Sequence, residues 1–241
     1  MLNFKAIFFV SILSSLSITN AEIPAVGYSN LNFDPPKPGS YKLYKISKAE
    51  DGIIIDQNNE PHSLHKMMHN KITLLGFVYL NCSDVNGCPL TAFVVQQLKN
   101  EVQKVENLYE NVKIISLSFD PKRDTPEYLK KHANHMGADG DIWSLTTTSD
   151  EDMLQPLLEK YNQPIQIIYD KEGNETGEIN HVLRVFLIDR NKQIRNIYST
   201  AFLHKDILLN DIKTILLEDN PNMTFHRSMK KEMHSHGMHH H

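Results

Sequence analysis

One almost uninterrupted apolar run constrains the fold of this chain more than any other feature. The run is "ITLLGFVYL" at residues 72–80, and "VKIISLSFD" at residues 112–120 has a similar character. A strand with one face in water alternates polar and apolar residues, which the first run does not do. The two segments therefore predict buried strands near the centre of a sheet that is covered on both faces.

Helical spacing follows each of these strands. After the first, "PLTAFVVQQLKNEVQKVENLY" predicts one amphipathic helix, and after the second, "TPEYLKKHANHM" predicts a helix with Pro126 in its first turn. "SDEDMLQPLLEKY" predicts a further helix with Ser149 as its cap, and "LHKDILLNDIKTILLED" a closing one. The apolar face of the first helix contains Leu90, Phe93, Val94, Leu98, Val102 and Val105.

Three more segments have strand character. "YKLYKIS" predicts an early strand, and "HVLRVFLID" and "KQIRNIYST" predict a hairpin around Arg190 and Asn191. Alternation of strands and helices, followed by a hairpin and a helix, indicates an α/β three-layer fold.

The ends of the chain differ from its middle. Lys5 and the apolar stretch "AIFFVSILSSLSI" indicate a signal peptide over residues 1–21, cleaved after Ala21; an uncleaved anchor is the alternative. The Pro-rich residues 22–40 predict an extended lead-in, and residues 41–219 a single domain. A formal net charge of −4 gives no reason to expect nucleic acid as a partner.

The only two cysteines, Cys82 and Cys88, follow the first buried strand and precede its helix. An exported protein most often pairs such thiols in a disulfide. A thiol near a helix N-terminus, however, has a lowered pKa and is available as a nucleophile or a soft-metal ligand. Position argues against a purely structural disulfide and leaves a redox couple and a metal site open.

Three segments resemble, in order and spacing, the Sco/SenC family of thioredoxin-like copper chaperones. They are "LLGFVYLNCSDVNGCPLT", "IISLSFDPKRDTPEYLKKHA" and "NHVLRVFLIDRNKQI", and the resemblance spans about residues 40–218. Its most specific part is "DPKRDTP", Asp120 to Pro126. The resemblance implies a thioredoxin-like three-layer α/β fold with a central mixed β-sheet. It also implies that Cys82, Cys88 and His181 are copper ligands.

Copper chemistry agrees with this ligand set, because Cu(I) prefers thiolate and accepts imidazole, and Cu(II) favours nitrogen. The chain departs from the family pattern at the cysteines, which are separated by five residues instead of three. Residues six apart lie about 240° around an α-helix, so the intervening segment must form a loop. Asn86 and Gly87 suit that loop because both tolerate φ > 0. Ser83 and Asn180 replace the Pro and Asp of the family.

The function implied by the resemblance is delivery of copper to a cuproenzyme such as a respiratory oxidase subunit with a dinuclear copper centre. We expect an exported monomer in the bacterial periplasm, soluble after cleavage, whose contact with the membrane is made only through its partner. This interpretation favours a metallochaperone over an enzyme. The alternatives are a thiol–disulfide oxidoreductase acting on a partner's cysteines and a copper buffer acting through the tail.

Other ligand-type residues cluster outside these motifs. Residues 220–241 carry many His and Met side chains with little apolar content, which predicts a disordered, metal-collecting tail; a tag at the last residues is the alternative. "PHSLHKMMHNK" predicts either a helical face of three histidines or a polar connecting helix with Leu64 and Met68 buried. The three histidines are His62, His65 and His69.

Two further interpretations concern the helix after the second strand. We expect Asp124 to cap it and Arg123 to pair with a carboxylate or contact a partner. His132 and His135 have i, i+3 spacing on the same helix and are interpreted as solvated side chains.

Overall fold

The computed structural model describes residues 28–228 except Ser83, Val85 and Asn86. Outside the described residues lie the predicted signal peptide, the first six residues of the predicted lead-in, Asn86 of the predicted loop and the last thirteen residues of the tail. Within the described part, no helix is long and apolar enough to cross a membrane.

The described chain contains ten strands and six α-helices. The strands are β1 Ser47–Lys48, β2 Ile53–Asp56, β3 Pro61–Ser63, β4 Ile72–Val78, β5 Val112–Ser118, β6 Trp143–Thr147, β7 Ile165–Tyr169, β8 Glu175–His181, β9 Val185–Ile188 and β10 Gln193–Tyr198. The helices are α1 Leu64–Met67, α2 Cys88–Val102, α3 Glu106–Tyr109, α4 Pro126–Met136, α5 Glu151–Lys160 and α6 Lys205–Asp219.

Eight of the strands form one mixed sheet in the order β1-β10-β9-β4-β5-β6-β2-β3. Strands β4, β5 and β6 are parallel to one another, and β9 pairs with β4 in the antiparallel direction. Strands β7 and β8 form a separate antiparallel pair. The predicted central mixed sheet is confirmed.

The sheet is covered by helices on both faces, which confirms the three layers. Ile72 and Leu74 of β4 pack in one core with α2, α4 and α6, whereas Leu75 and Phe77 pack in the other with α1 and α5. Because successive side chains of a strand point to opposite faces, β4 must be apolar at neighbouring positions to fill both cores. This double burial explains the unbroken apolar run.

The predicted helix after β4 is divided in the structure. Helix α2 ends at Val102, and α3 follows separately, because Val105 is extended and forms a β-bridge with Arg227. Five of the six residues predicted for the apolar face are buried, and Phe93 is half-buried. Of "YKLYKIS", only Ser47 lies in a strand, which continues to Lys48.

Two predicted helix caps are wrong by one position. The side chain of Thr125, not that of Asp124, caps α4 by accepting the Tyr128 N–H. Asp150, not Ser149, caps α5. In both cases the capping residue is the one in extended conformation immediately before the helix, as an N-cap requires.

The first part of the His/Met-rich tail lies against the domain. The backbone N–H of Ser228 donates to the Lys104 carbonyl at 2.7 Å, and the Asn107 side-chain amide donates to the Thr224 carbonyl at 2.7 Å. Phe225 packs against the core shared by α2 and α6. Contacts with the domain therefore continue beyond residue 219, the predicted domain end.

Candidate metal centre

The two cysteines lie on either side of a loop at the carboxyl end of β4. Cys82 is half-buried in the loop, and Cys88 is the first residue of α2 with 8% of its surface exposed. The Gly87 N–H donates to the Asp84 carbonyl at 2.9 Å, which closes a turn before the helix. Gly87 has φ −99°, so the loop does not use its tolerance of φ > 0. A Cβ there would lie 3.2 Å from the Asp84 carbonyl oxygen, so glycine permits this close approach.

His181 is the last residue of β8 and is carried by the β7–β8 hairpin rather than by the lead-in to β9. Its Nδ1 lies 3.0 Å from the Ile179 carbonyl oxygen. A carbonyl can only accept, so Nδ1 carries the proton and the neutral ring presents an unprotonated Nε2. Nε2 lies 3.8 Å from Cys88 Sγ.

The ligand atoms of these three side chains lie close together. Ligand atoms of Cys82, Cys88 and His181 all lie within 4.8 Å of one another. Two ligands of one ion, each bound at about 2.0–2.3 Å, are separated by roughly 4.6 Å at most. The arrangement is therefore close to that needed by a single ion. Among residues 28–228 without the three omitted loop positions, this is the one group of three or more His, Cys, Asp or Glu side chains suited to a metal.

The two thiols have different electrostatic environments. Cys88 donates a hydrogen bond to Cys82, which lowers the pKa of Cys82, and the Cys88 backbone N–H adds to this effect. The same hydrogen bond raises the pKa of Cys88, and burial raises it further. Cys82 is therefore the more readily ionised of the two thiols, and both cysteines are free.

Aromatic side chains from the ends of the central strands surround His181. The ring of Phe119 lies 4.8 Å from the His181 ring, and that of Tyr79 lies 5.6 Å away with its edge toward it. The Tyr79 hydroxyl also accepts the Ile179 N–H at 3.5 Å. These contacts hold the histidine-bearing strand against the sheet.

The "DPKRDTP" segment holds the backbone beside the site in place. Asp124 is completely buried, and its Oδ2 accepts the Leu80 N–H at 3.0 Å and the Ser118 hydroxyl at 2.6 Å. Burial raises the pKa of Asp124 to about 6. Asp124 therefore fixes the backbone just before Cys82 instead of capping α4.

Arg123 connects the same segment to the histidine-bearing hairpin. Its guanidinium lies 2.5 Å from Asp120 Oδ2 and 3.5 Å from Glu175 at the start of β8. The predicted pairing of Arg123 with a carboxylate is confirmed.

Gln163 is a site-supporting residue that the sequence did not reveal. Its side chain is completely buried, and Nε2 donates to the Val182 carbonyl at 2.5 Å, one residue after His181. No pattern in the sequence distinguishes this glutamine from an exposed one. Asn180, in contrast, is exposed, because it precedes His181 in β8 and successive side chains of a strand point to opposite faces.

The other predicted histidine group does not assemble. His62 Nε2 lies 3.2 Å from Asp56 Oδ2, and His65 Nε2 lies 2.9 Å from the Ala49 carbonyl oxygen. Helix α1 has only four residues, so it cannot present three histidines on one face. Leu64 and Met68 are completely buried, which confirms the alternative of a connecting segment anchored by these two side chains.

The two histidines of α4 differ from each other. His135 is exposed, and its Nδ1 lies 2.8 Å from the Lys131 carbonyl oxygen of its own helix. His132 is half-buried, and its ring centroid lies 4.4 Å from that of Tyr128. The expectation of a solvated side chain is therefore confirmed for His135, whereas His132 is only partly exposed.

Comparison with known proteins gives consistent matches. The SCO1/SenC family model matches residues 53–217. An SCO2-like protein of Rickettsia typhi is 27% identical over 169 residues, which cover 68% of this chain and 78% of the relative.

Solved structures share the fold. Arabidopsis thaliana ScoI, determined with copper bound, has a TM-score of 0.60 at 14% identity and covers 71% of this chain and 99% of its own. BsSco, described as a member of the Sco family of cytochrome c oxidase assembly proteins with a disulfide switch, has a TM-score of 0.56 at 22% identity, with coverages of 73% and 98%. The predicted thioredoxin-like fold is confirmed by this likeness.

Proposed function

The chain belongs to the SCO1/SenC family, and from this premise we propose that it is a metallochaperone that binds copper through Cys82, Cys88 and His181. The observation that carries the proposal is the approach of their three ligand atoms to within 4.8 Å. Copper is the cargo of such a protein, and it is held by groups that the fold brings together from the β4–α2 loop and from β8.

The donor set suits Cu(I). Two sulfurs and one imidazole are soft ligands in a low-coordinate arrangement, which binds Cu(I) tightly and leaves room for a recipient's ligand to attack. Because the pKa of Cys82 is lowered and that of Cys88 is raised, the proton released on binding comes mainly from Cys88. Cu(II) favours nitrogen and more ligands, so we expect its binding to depend more strongly on His181.

The recipient we propose is an oxidase subunit with a dinuclear copper centre. Support comes from relatives such as BsSco, whose description assigns it to cytochrome c oxidase assembly. We further propose that the protein is an exported monomer, released into the periplasm by cleavage of residues 1–21, and that it meets the membrane only through this partner.

Anaerobic titration of the reduced protein with Cu(I) against a competing chelator tests the proposal. We expect one tight Cu(I) in a protein ending at Ser228, lost in Cys82→Ser and in Cys88→Ser. His181→Ala should weaken binding without abolishing it, because two thiolates still hold Cu(I). His135→Ala is the matched control, since His135 is exposed and its Nδ1 lies 2.8 Å from the Lys131 carbonyl oxygen of its own helix. Unchanged tight binding in either cysteine variant would contradict the proposal.

A second candidate is a thiol–disulfide oxidoreductase. The pairing of a half-exposed thiolate at Cys82 with a buried thiol at Cys88 favours it, because the first can attack a partner and the second can resolve the mixed disulfide. Reduction of a disulfide-bonded oxidase peptide, followed for each cysteine variant without copper, separates the two functions. Catalytic turnover lost in both variants would favour the oxidoreductase.

A further inference from the structure

An apolar cavity of about 180 Å³ lies between α2 and α4, directly beside the cysteines. Its lining includes Cys82, Cys88 and Ala92 from the loop and α2, and His132 and Met136 from α4. Trp143 of β6 also lines it. The same cavity is therefore lined by the two thiols, a second imidazole and a thioether.

His132 and Met136 are arranged as a pair. Residues four apart lie on the same face of a helix, and both side chains are half-buried at the cavity. His132 packs against Tyr128, whose hydroxyl donates to Asn81 Oδ1 at 3.2 Å, just before Cys82. Helix α4 is thereby tied to the chain segment that carries the first cysteine.

The imidazole of His132 is available as a ligand. Burial lowers the pKa of His132, as do the charges of His135 and Lys131 on the same helix. A thioether is a soft donor that favours Cu(I), and a neutral imidazole also binds copper, so the pair suits Cu(I) better than divalent ions that prefer oxygen.

We propose that His132 and Met136 form a second, weaker Cu(I) position from which the ion moves along the cavity to Cys82 and Cys88. This position deepens the proposed function and depends on it for the destination of the ion. Two neutral donors leave the charge of Cu(I) uncompensated, whereas cysteine sulfurs bind copper as thiolates and compensate it. The ion therefore moves toward the cysteines.

The transfer is a ligand exchange without a change of oxidation state. Bonds from Cu(I) to the Met136 sulfur and the His132 nitrogen break as bonds to the two cysteine sulfurs form. The Cys88 thiol releases its proton to water, and copper remains Cu(I) throughout. No electron donor or acceptor is needed.

The first test uses Ag(I), a diamagnetic and air-stable probe with the preferences of Cu(I), on the full mature chain carrying Cys82→Ser and Cys88→Ser. Methyl-labelled methionines are followed by NMR, and Met136→Leu assigns the resonance of Met136. We expect this resonance to shift with Ag(I), and His132→Gln to raise the Ag(I) concentration required by about tenfold or more.

Matched controls lie on the same chain. His135→Gln should leave the Met136 titration unchanged, and the methyl resonance of Met153, on the exposed side of α5, should not follow it. The proposal would be overturned by a Met136 resonance that does not shift with Ag(I). It would also be overturned by a Met136 resonance that shifts at the same Ag(I) concentration in His132→Gln and His135→Gln. Neither result depends on the cysteines, so failure here is distinct from failure of the proposed copper site.

The second test measures transfer in the protein with both cysteines intact. Met136→Leu removes the sulfur and nearly preserves the volume, so it should slow Cu(I) loading of the cysteines about tenfold in stopped-flow absorption while leaving the final affinity unchanged. Met153→Leu should load at the original rate. Equal loading rates in the two variants would remove Met136 from the route.

Discussion

The buried carboxyl group of Asp124 makes the stability of the protein depend on pH in a predictable direction. Asp124 has no exposed surface, and two donors, the Leu80 N–H and the Ser118 hydroxyl, both contact its Oδ2. Burial raises its pKa from 3.8 to about 6; Asp120 adds to this effect, and Arg123 opposes it. The folded state therefore binds this proton more tightly than the unfolded state does.

The magnitude follows from the pKa difference. Because the folded pKa is the higher one, stability contributed by this group is fully present below pH 4 and is lost as pH rises through 6. A pKa difference of about two, at about 1.4 kcal/mol for each pKa unit, gives a loss of about 3 kcal/mol in the free energy of unfolding. Asp124→Asn cannot ionise, so this loss should be absent from the variant.

Urea denaturation from pH 4 to pH 7 measures the effect. Both proteins should carry Cys82→Ser and Cys88→Ser, so that neighbouring thiols do not titrate in the same range. The asparagine variant should gain about 2 kcal/mol relative to its parent between pH 4 and pH 7, in addition to any constant offset that the buried amide introduces. Titrating groups that do not interact with Asp124 cancel in the difference, so a difference that does not change with pH would refute the reasoning.

Three further predictions concern the same region. Cys82 should react with iodoacetamide at pH 7 at least about tenfold faster than Cys88, because its pKa is lowered and it is more exposed; equal rates by mass spectrometry would contradict this. Gln163→Leu should cost about 1–3 kcal/mol in urea denaturation by leaving the Val182 carbonyl unpaired. Leu98→Ala should lower the free energy of unfolding by about 2–5 kcal/mol, since Leu98 is fully buried. A loss below about 1 kcal/mol would show that the surrounding core collapses into the space left by Leu98.

The central strands were predictable because burial on both faces requires apolar residues at consecutive positions. All seven residues of β5 and the first six of β4 are buried, so neither strand needs a polar face. The position of Cys82 and Cys88 at the end of β4 followed directly from that assignment. Their meeting with His181 did not, because it depends on the β7–β8 hairpin.

That hairpin was missed because its strands carry little apolar signal. Strand β8, Glu175–His181, has one buried residue, Ile179, and β7 is at most half-buried. Asp170 forms the turn between them by accepting the N–H groups of Glu172 and Asn174. Local turn chemistry and contacts with distant residues, rather than periodic burial, hold the hairpin.

The roles of buried polar residues were also hidden from the sequence. Asp124 precedes a helix, which favours the interpretation of a cap, but Thr125 takes that role and frees the carboxylate for Leu80, 44 positions earlier. Gln163 likewise contacts Val182, and no rule of sequence spacing predicts this contact. Such roles depend on tertiary contacts between residues far apart in the chain.

X-ray absorption spectroscopy of the reduced protein, loaded with less than one equivalent of Cu(I), tests the central claim most directly. The proposed site predicts two sulfur ligands and one imidazole nitrogen around a single copper. His181→Ala should remove the nitrogen and keep both sulfurs. A copper shell dominated by nitrogen, or one unchanged in Cys82→Ser, would contradict the assignment of copper to these three residues.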